Sequence, residues 1–263
     1  SKTVMWPHWE MLEPTIRKAA GLGWAPEEPD ADIYDKRHLH CDIFIAGGGP
    51  AGLAAALTAA ESGLDVVIAD DGQTLGGSLL WDRLGHDDEA GLRFAKEATA
   101  RLEAAPNVTI IIGGSVFGYY DHNYLAVRQL IKSPASHREN RGPAERVWKV
   151  RAQRVILATG AIERPLVFAN NDRPGVMLTA AAQEYAMGYG TAVGRRAIVF
   201  ANNDYAYRAA LSLHDAGVEI ALIVDPRTNP QGVWPTKART AGLAVQDSSA
   251  IEPLTQQIGR AHV

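Results

Sequence analysis

Short, unbroken apolar runs alternate along this chain with stretches of helical composition. Asp42 to Ala46 (DIFIA) is the first run and reads as a buried strand. Ala51 to Ser62 then has helical composition, and Gly63 stands where a helix C-terminal glycine belongs. Asp65 to Ala69 (DVVIA) is a second buried strand. Glu89 to Ala104 carries Leu92, Ala95 and Leu102 at helical spacing, and Val108 to Ile112 is a third strand. Weaker strand patterns lie at Phe117–Tyr120, Leu125–Val127 and Trp148–Val150, and the polar stretch Ser133 to Arg146 reads as a surface hairpin or loop. Val155 to Ala158 (VILA) closes this part with another buried strand. The rhythm then restarts, with a strand at Ala197–Phe200, a helix at Tyr205–Ala216 ended by Gly217, and a strand at Glu219–Val224. Strands that are apolar on both faces and alternate with helices belong to parallel sheets.

The turn between the first strand and the first helix carries the chemistry. It reads Gly47-Gly48-Gly49-Pro50-Ala51-Gly52. Gly47 permits a tight turn, Gly49 leaves room for a pyrophosphate beside the backbone, and Gly52 lets helix and strand close up. Pro50 and Ala51 open the helix, whose first amides and positive dipole end then face the phosphates. An acidic residue is expected about 20 positions on, and Asp70, with Asp71 beside it, supplies it. An aspartate there accepts hydrogen bonds from ribose hydroxyls and repels a 2′-phosphate, which favours NAD or FAD over NADP. Gly77 and Ser78, after Gly76, allow a loop to pass near the same ligand. Thr159 and Gly160, at the end of the 155–158 strand, are secondary contacts.

The second unit keeps the spacing and loses the glycines. Gly47 to Asp70 and Asn202 to Asp225 are both separated by 23 positions, from the numbering 70 − 47 and 225 − 202. On that register Asn202 replaces Gly47, Asp204 replaces Gly49 and Tyr207 replaces Gly52. A carboxylate and a ring then stand where a second dinucleotide needs space, so this unit is expected to keep the fold without the ligand.

The expected architecture is therefore α/β, with two Rossmann-like dinucleotide-binding units built on parallel sheets. Residues 39–175 form the first and 176–263 the second. The second is incomplete, because Ala261-His262-Val263 reads as the start of a strand. Residues 1–38 form an N-terminal extension, with Pro7, Pro14, Pro26 and Pro29, one short helix at Trp9–Ala20, and Trp6, Trp9 and Trp24 as anchors.

Composition narrows the function. With 26 basic and 30 acidic side chains in 263 residues the formal charge is −4, which gives no electrostatic footing for nucleic acid or anionic lipid. No run approaches the ~20 apolar residues of a membrane span, and the first residues lack the apolar core of a signal peptide. A cytoplasmic setting is the expectation. The single cysteine, Cys41, cannot form an internal disulfide, and the eight histidines show no metal-ligand spacing, so no metal is expected. Tyr119, Tyr120, Asp121 and His122 form a polar-aromatic cluster, expected to pack at a strand end. The catalytic residues are unknown from the sequence.

Beyond these motifs, the chain resembles the alpha subunits of heterotetrameric sarcosine oxidases and their relatives. The matching passages are Phe44–Ala60, Gly76–Leu80, Leu157–Pro165 (LATGAIERP), Phe168–Met177 (FANNDRPGVM) and Val199–Asp215, with Leu12–Gly23 as lead-in. The resemblance implies that the glycine turn, through Gly47, Gly49, Gly52 and Asp70, holds NAD. It implies a partner, a beta-type flavoprotein subunit that carries the amine-oxidising FAD, with a covalent FMN between the two. It also implies a small amine substrate, sarcosine, demethylated by the complex, and an alpha subunit much longer than this chain. Two alternatives stand beside it: an FAD-binding alpha subunit of an opine or hydroxyproline dehydrogenase, and a scaffold subunit without turnover.

Overall fold

The computed structural model describes residues 9–21, 32–82, 89–131 and 142–248, together with Gly23 and Pro29. One helix, α1 (Trp9–Ala19), precedes the first sheet. That sheet contains β1 (Tyr34–Ala46), β2 (Val66–Asp70), β3 (Val108–Ile112), β4 (Gly114–Tyr120), β5 (Tyr124–Leu130) and β6 (Glu145–Leu157). Its strand order is β3-β2-β1-β6-β5-β4. The first four strands of that order run parallel, and β5 and β4 add antiparallel to the far side of β6. The expected α/β architecture is present, but this sheet is mixed rather than wholly parallel.

Two helices cover one face. In α2 (Pro50–Glu61) Leu53 and Ala56 are buried, and in α3 (Ala90–Ala104) Ala95, Ala98 and Leu102 are. They pack on Ile45, Val66 and Ile68. The opposite face presents Phe44, Ala46, Val67 and Ala69 to Leu125, Val127 and Val150, so the β4-β5-β6 meander folds across the parallel strands as a third layer. Each of the larger side chains, Phe44, Val67, Leu125, Val127 and Val150, contributes about 1.5–3 kcal/mol when removed from water.

β1 and β6 are longer than their apolar runs. They pair in parallel from Tyr34↔Glu145 to Ala46↔Leu157. In their first halves Leu39, Cys41, Trp148 and Val150 point inward, while Lys36, His38 and His40 are exposed. The sheet therefore starts at Tyr34, within the stretch read as extension, and the two runs near 148 and 156 are one strand. Trp9, expected as an anchor, is exposed; Trp6 and Trp24 lie outside the described residues, as does most of the 133–146 loop.

The second sheet is wholly parallel, in order β7-β8-β9: β7 (Arg196–Phe200), β8 (Glu219–Val224) and β9 (Val245–Gln246). Before it come α4 (Thr179–Gln183) and a π turn at Glu184–Gly188. α5 (Asp204–Asp215) and α6 (Val233–Thr240) pack against it through Tyr207, Ala210, Leu213 and Ala238. The strand read at the chain end lies outside the described residues.

Candidate functional site

β1 ends at Ala46 and the chain turns at once into α2. Gly47 has φ +102°, where any other residue is strained. A Cβ on Gly47 would also strike the carbonyl oxygen of Ala158, just past the end of β6. A Cβ on Gly52 would collide with the Gly47 carbonyl oxygen. These two glycines close the turn on itself and on β6. Gly49 is different. Its φ of −72° suits any residue, and the nearest atom to an added Cβ is the Gly77 Cα, 4.0 Å away. The space beside Gly49 is open.

That space lies at the head of α2. Pro50, at the first helical position, has no N–H, so Ala51 and Gly52 carry the leading amides, which have no partner within the helix. Across the gap, the Gly76 amide donates to the Gly48 carbonyl at 2.8 Å. Gly77 (φ +52°) comes so close that a Cβ there would sit 2.8 Å from the Gly49 Cα. The 77–78 loop thus lies against the turn, with Ser78 in a short 3-10 turn, Gly77–Leu80.

Asp70 stands at the end of β2. Its Oδ2 accepts the Gly48 amide at 2.6 Å and its Oδ1 the Gly72 amide at 2.8 Å. One oxygen is therefore held on the glycine turn and the other on the loop that follows β2. Asp71, by contrast, is an exposed turn residue. Gly48 was not among the sequence candidates, yet its missing side chain matters: a Cβ would meet Leu75 and the Asp70 side chain. Thr159 borders the turn, its Cα 3.2 Å from where a Gly47 Cβ would be. Gly160, with φ +72°, is farther out and exposed. The fold thus brings Gly47, Gly49, Pro50, Ala51, Gly52, Asp70, Gly77, Ser78 and Thr159 to one end of the parallel strands, and leaves Asp71 and Gly160 at its margin.

The same place in the second unit is filled by side chains. The Tyr207 ring is buried, and its hydroxyl donates 2.8 Å to the buried Asp225. Arg227 bridges Asp225 (2.7 Å) and Asp204 (2.9 Å). Burial and the bond to Asp225 push the Tyr207 hydroxyl well above its usual range. For Asp225 burial acts to raise the carboxyl, but the bonds from Arg227 and Tyr207 outweigh it and hold it below the usual carboxylate range.

Elsewhere the chemistry is sparse. Tyr119 and Tyr120 are exposed at the β4–β5 tip rather than packed in the core. Among the described residues no group of three or more His, Cys, Asp or Glu is placed to hold a metal, and no helix is long and apolar enough to cross a membrane.

Residues 41–192 match the family model described as pyridine nucleotide-disulphide oxidoreductase. The chain belongs to this family. Its site accordingly takes a nucleotide cofactor, although a lone, buried Cys41 leaves it without an internal redox disulfide. The sarcosine oxidase alpha subunit of Rhizobium meliloti (strain 1021) is 45% identical over 93% of this chain, which spans only 25% of that protein. An opine oxidase subunit from Agrobacterium tumefaciens (strain Ach5) is 29% identical over 72% of this chain and 37% of its own length. Among solved structures, L-proline dehydrogenase from P. horikoshii shares the fold, with TM-score 0.57 at 24% identity over 79% of this chain and 40% of that one.

Proposed function

We propose that this chain is the dinucleotide-holding part of a longer amine-oxidising subunit of the sarcosine oxidase alpha type, and that its first unit binds NAD. The observation that carries the reading is the open space beside Gly49, bounded by the α2 amides, by Gly77 and by Asp70. The leading amides of Ala51 and Gly52 hold the pyrophosphate with the helix dipole behind them. Asp70 meets the ribose and excludes a 2′-phosphate, while Gly77, Ser78, Thr159 and Gly160 border the rest, with Asp71 at the rim. When bound, the dinucleotide supplies a ring that carries two electrons. This chain's own residues bind and orient its ADP half.

Glycines, backbone amides and one amide-bonded carboxylate suit the holding of a nucleotide rather than proton transfer from an amine. We therefore assign the oxidation of a small amine such as sarcosine to a flavoprotein partner of beta type, in the cytoplasm. The second unit holds no second dinucleotide, because Tyr207, Asp204 and Arg227 fill its turn. FAD is the alternative ligand of the first unit, since it presents the same ADP half as NAD, and an opine-type substrate is the alternative amine.

The test is sarcosine-dependent peroxide formation by the full-length protein in complex with its partner. Activity with sarcosine, reduced or lost in the Gly49→Val variant, supports the proposal. No activity with sarcosine alongside turnover of an opine would move the reading to the opine-type enzyme.

A further inference from the structure

The outer face of the β4-β5-β6 meander has no part in the nucleotide site, yet its charge is distinctive. β1 and β6 run side by side there with His38 opposite Lys149 and His40 opposite Arg151. Lys36 stands one outward position earlier on β1. Neighbouring strands lie about 4.8 Å apart, and outward positions repeat about every 6.7 Å along each strand. Three full cations and two imidazoles therefore crowd one patch of sheet.

At the end of this patch Asp42, two positions beyond His40 on β1, is bonded to the Gln153 side-chain amide and to the Asp65 backbone N–H. Among the described residues no ion pair involves Lys36, His38, His40 or Lys149. Arg151 lies 5.2 Å from the Tyr124 ring centroid and donates to the His122 carbonyl at 3.3 Å, neither of which is a carboxylate. Glu145, on the same face, is bonded to Arg128. Asp35 is engaged by Arg37 and Arg146. Like charges facing each other across strands cost stability, and here they gather on a chain whose overall balance is −4.

We infer that this face, carried by Lys36, His38, His40, Lys149 and Arg151, is a docking surface for a carboxylate-rich protein surface. The match is electrostatic. Aspartates and glutamates set a few ångströms apart on a strand or helix meet the cation spacing. The aromatic pair Tyr120 and Tyr124, with ring centroids 5.9 Å apart, flanks the same face with apolar area. A compact acidic patch touches this face alone. The chain as a whole carries a formal charge of −4, which disfavours an extended polyanion, so nucleic acid is the weaker fit. This inference is independent of which dinucleotide the first unit holds.

The test uses the full-length chain expressed alone and a fluorescein-labelled octaglutamate peptide, followed by anisotropy at low salt. Wild type binds the peptide. Lys36→Glu/Lys149→Glu weakens binding at least tenfold, and Lys36→Arg/Lys149→Arg retains it. Thermal midpoints of both variants, measured alongside, separate lost docking from lost folding, because these side chains lie outside the core. The inference is overturned by a wild type that does not bind, or by unchanged binding in a folded charge-reversed variant. It is also overturned if an eight-residue oligothymidine binds more tightly than the peptide and with the same lysine dependence.

Discussion

The Tyr207 hydroxyl donates 2.8 Å to the Asp225 carboxylate. On the shared 23-residue spacing Tyr207 occupies the place of Gly52, and Asp225 the place of Asp70. In the first unit the Gly47 carbonyl closes on Gly52 and the Gly48 amide bonds to the acidic residue, whereas in the second unit a ring stands at the equivalent place and bonds to the acidic residue itself. Removing the hydroxyl leaves a buried carboxylate short of a donor, which costs about 1–3 kcal/mol. Tyr207→Phe should lower unfolding stability by that amount in urea titration without changing nucleotide content. A loss of nucleotide instead would place the ligand in the second unit.

Gly49 and Gly52 have different jobs, and alanine separates them. Gly49→Ala adds a methyl to open space at an ordinary φ, so the thermal midpoint of the nucleotide-free protein should hold while nucleotide affinity falls at least tenfold. Gly52→Ala drives a methyl into the Gly47 carbonyl and should destabilise the fold by about 1–3 kcal/mol or more. Equal loss of stability in both variants would contradict the assignment of the open space.

Asp70 is bonded by two amides and faces the turn. A charged hydrogen bond to ribose contributes about 1.5–3 kcal/mol, so Asp70→Ala should weaken NAD binding roughly 10- to 100-fold in calorimetry. Asp70→Asn should narrow the preference for NAD over NADP. Asp71→Ala, at the rim, should do little.

The two units are fastened by a clasp. Arg208, on α5, donates to the Asp82 carboxylate and to the Asp82 carbonyl, each at 2.7 Å. The buried Gln183 adds a bond to Asp82 at 3.1 Å and accepts one from the Tyr205 hydroxyl at 3.2 Å. Burial, with Asp82 and Glu163 nearby, pushes the Tyr205 hydroxyl up to about 12. A double-mutant cycle on Arg208→Ala and Asp82→Ala should give a coupling of about 1–2 kcal/mol. A value near zero would show that the clasp does not hold the units together.

Acid acts on the second unit through Asp225. Its folded-state pKa is depressed below the unfolded value of about 3.9. The stability it contributes is complete above that value and is lost as pH falls through the folded one. Wild-type stability should therefore drop more steeply below about pH 4 than that of Asp225→Asn, measured by denaturant midpoints at each pH. Identical profiles would contradict this.

Much of the fold was legible because the inner strands are buried on both faces. Phe44, Ile45, Val67 and Ile68 leave no polar interruption, so their runs stand out. The first half of β1 was not legible. Tyr34 to His40 alternates Leu39 with charged and imidazole groups, and only pairing with β6 makes it a strand. The same alternation hid the continuity of β6 from Glu145 to Leu157. β9 is two residues long, too short for any pattern, and α6 carries Pro235, Lys237 and Arg239 on a single turn-rich stretch. At the site the turn itself was readable, because glycines at 47 and 52 have a steric cause and Gly49 follows the same spacing. Gly48 was not, since its need comes from Leu75 packing from a distant loop. Nor could the sequence foretell that Arg227 would bridge Asp204 and Asp225.

The most direct measurement identifies and counts the nucleotide released on denaturation from wild type, Gly49→Val and Arg227→Ala. The account predicts one NAD per chain from wild type and from Arg227→Ala, and none from a folded Gly49→Val. Release of FAD in its place would keep the site and overturn the NAD assignment. Undiminished nucleotide in Gly49→Val, or loss of it in a folded Arg227→Ala, would contradict the claim that the first unit alone holds the ligand.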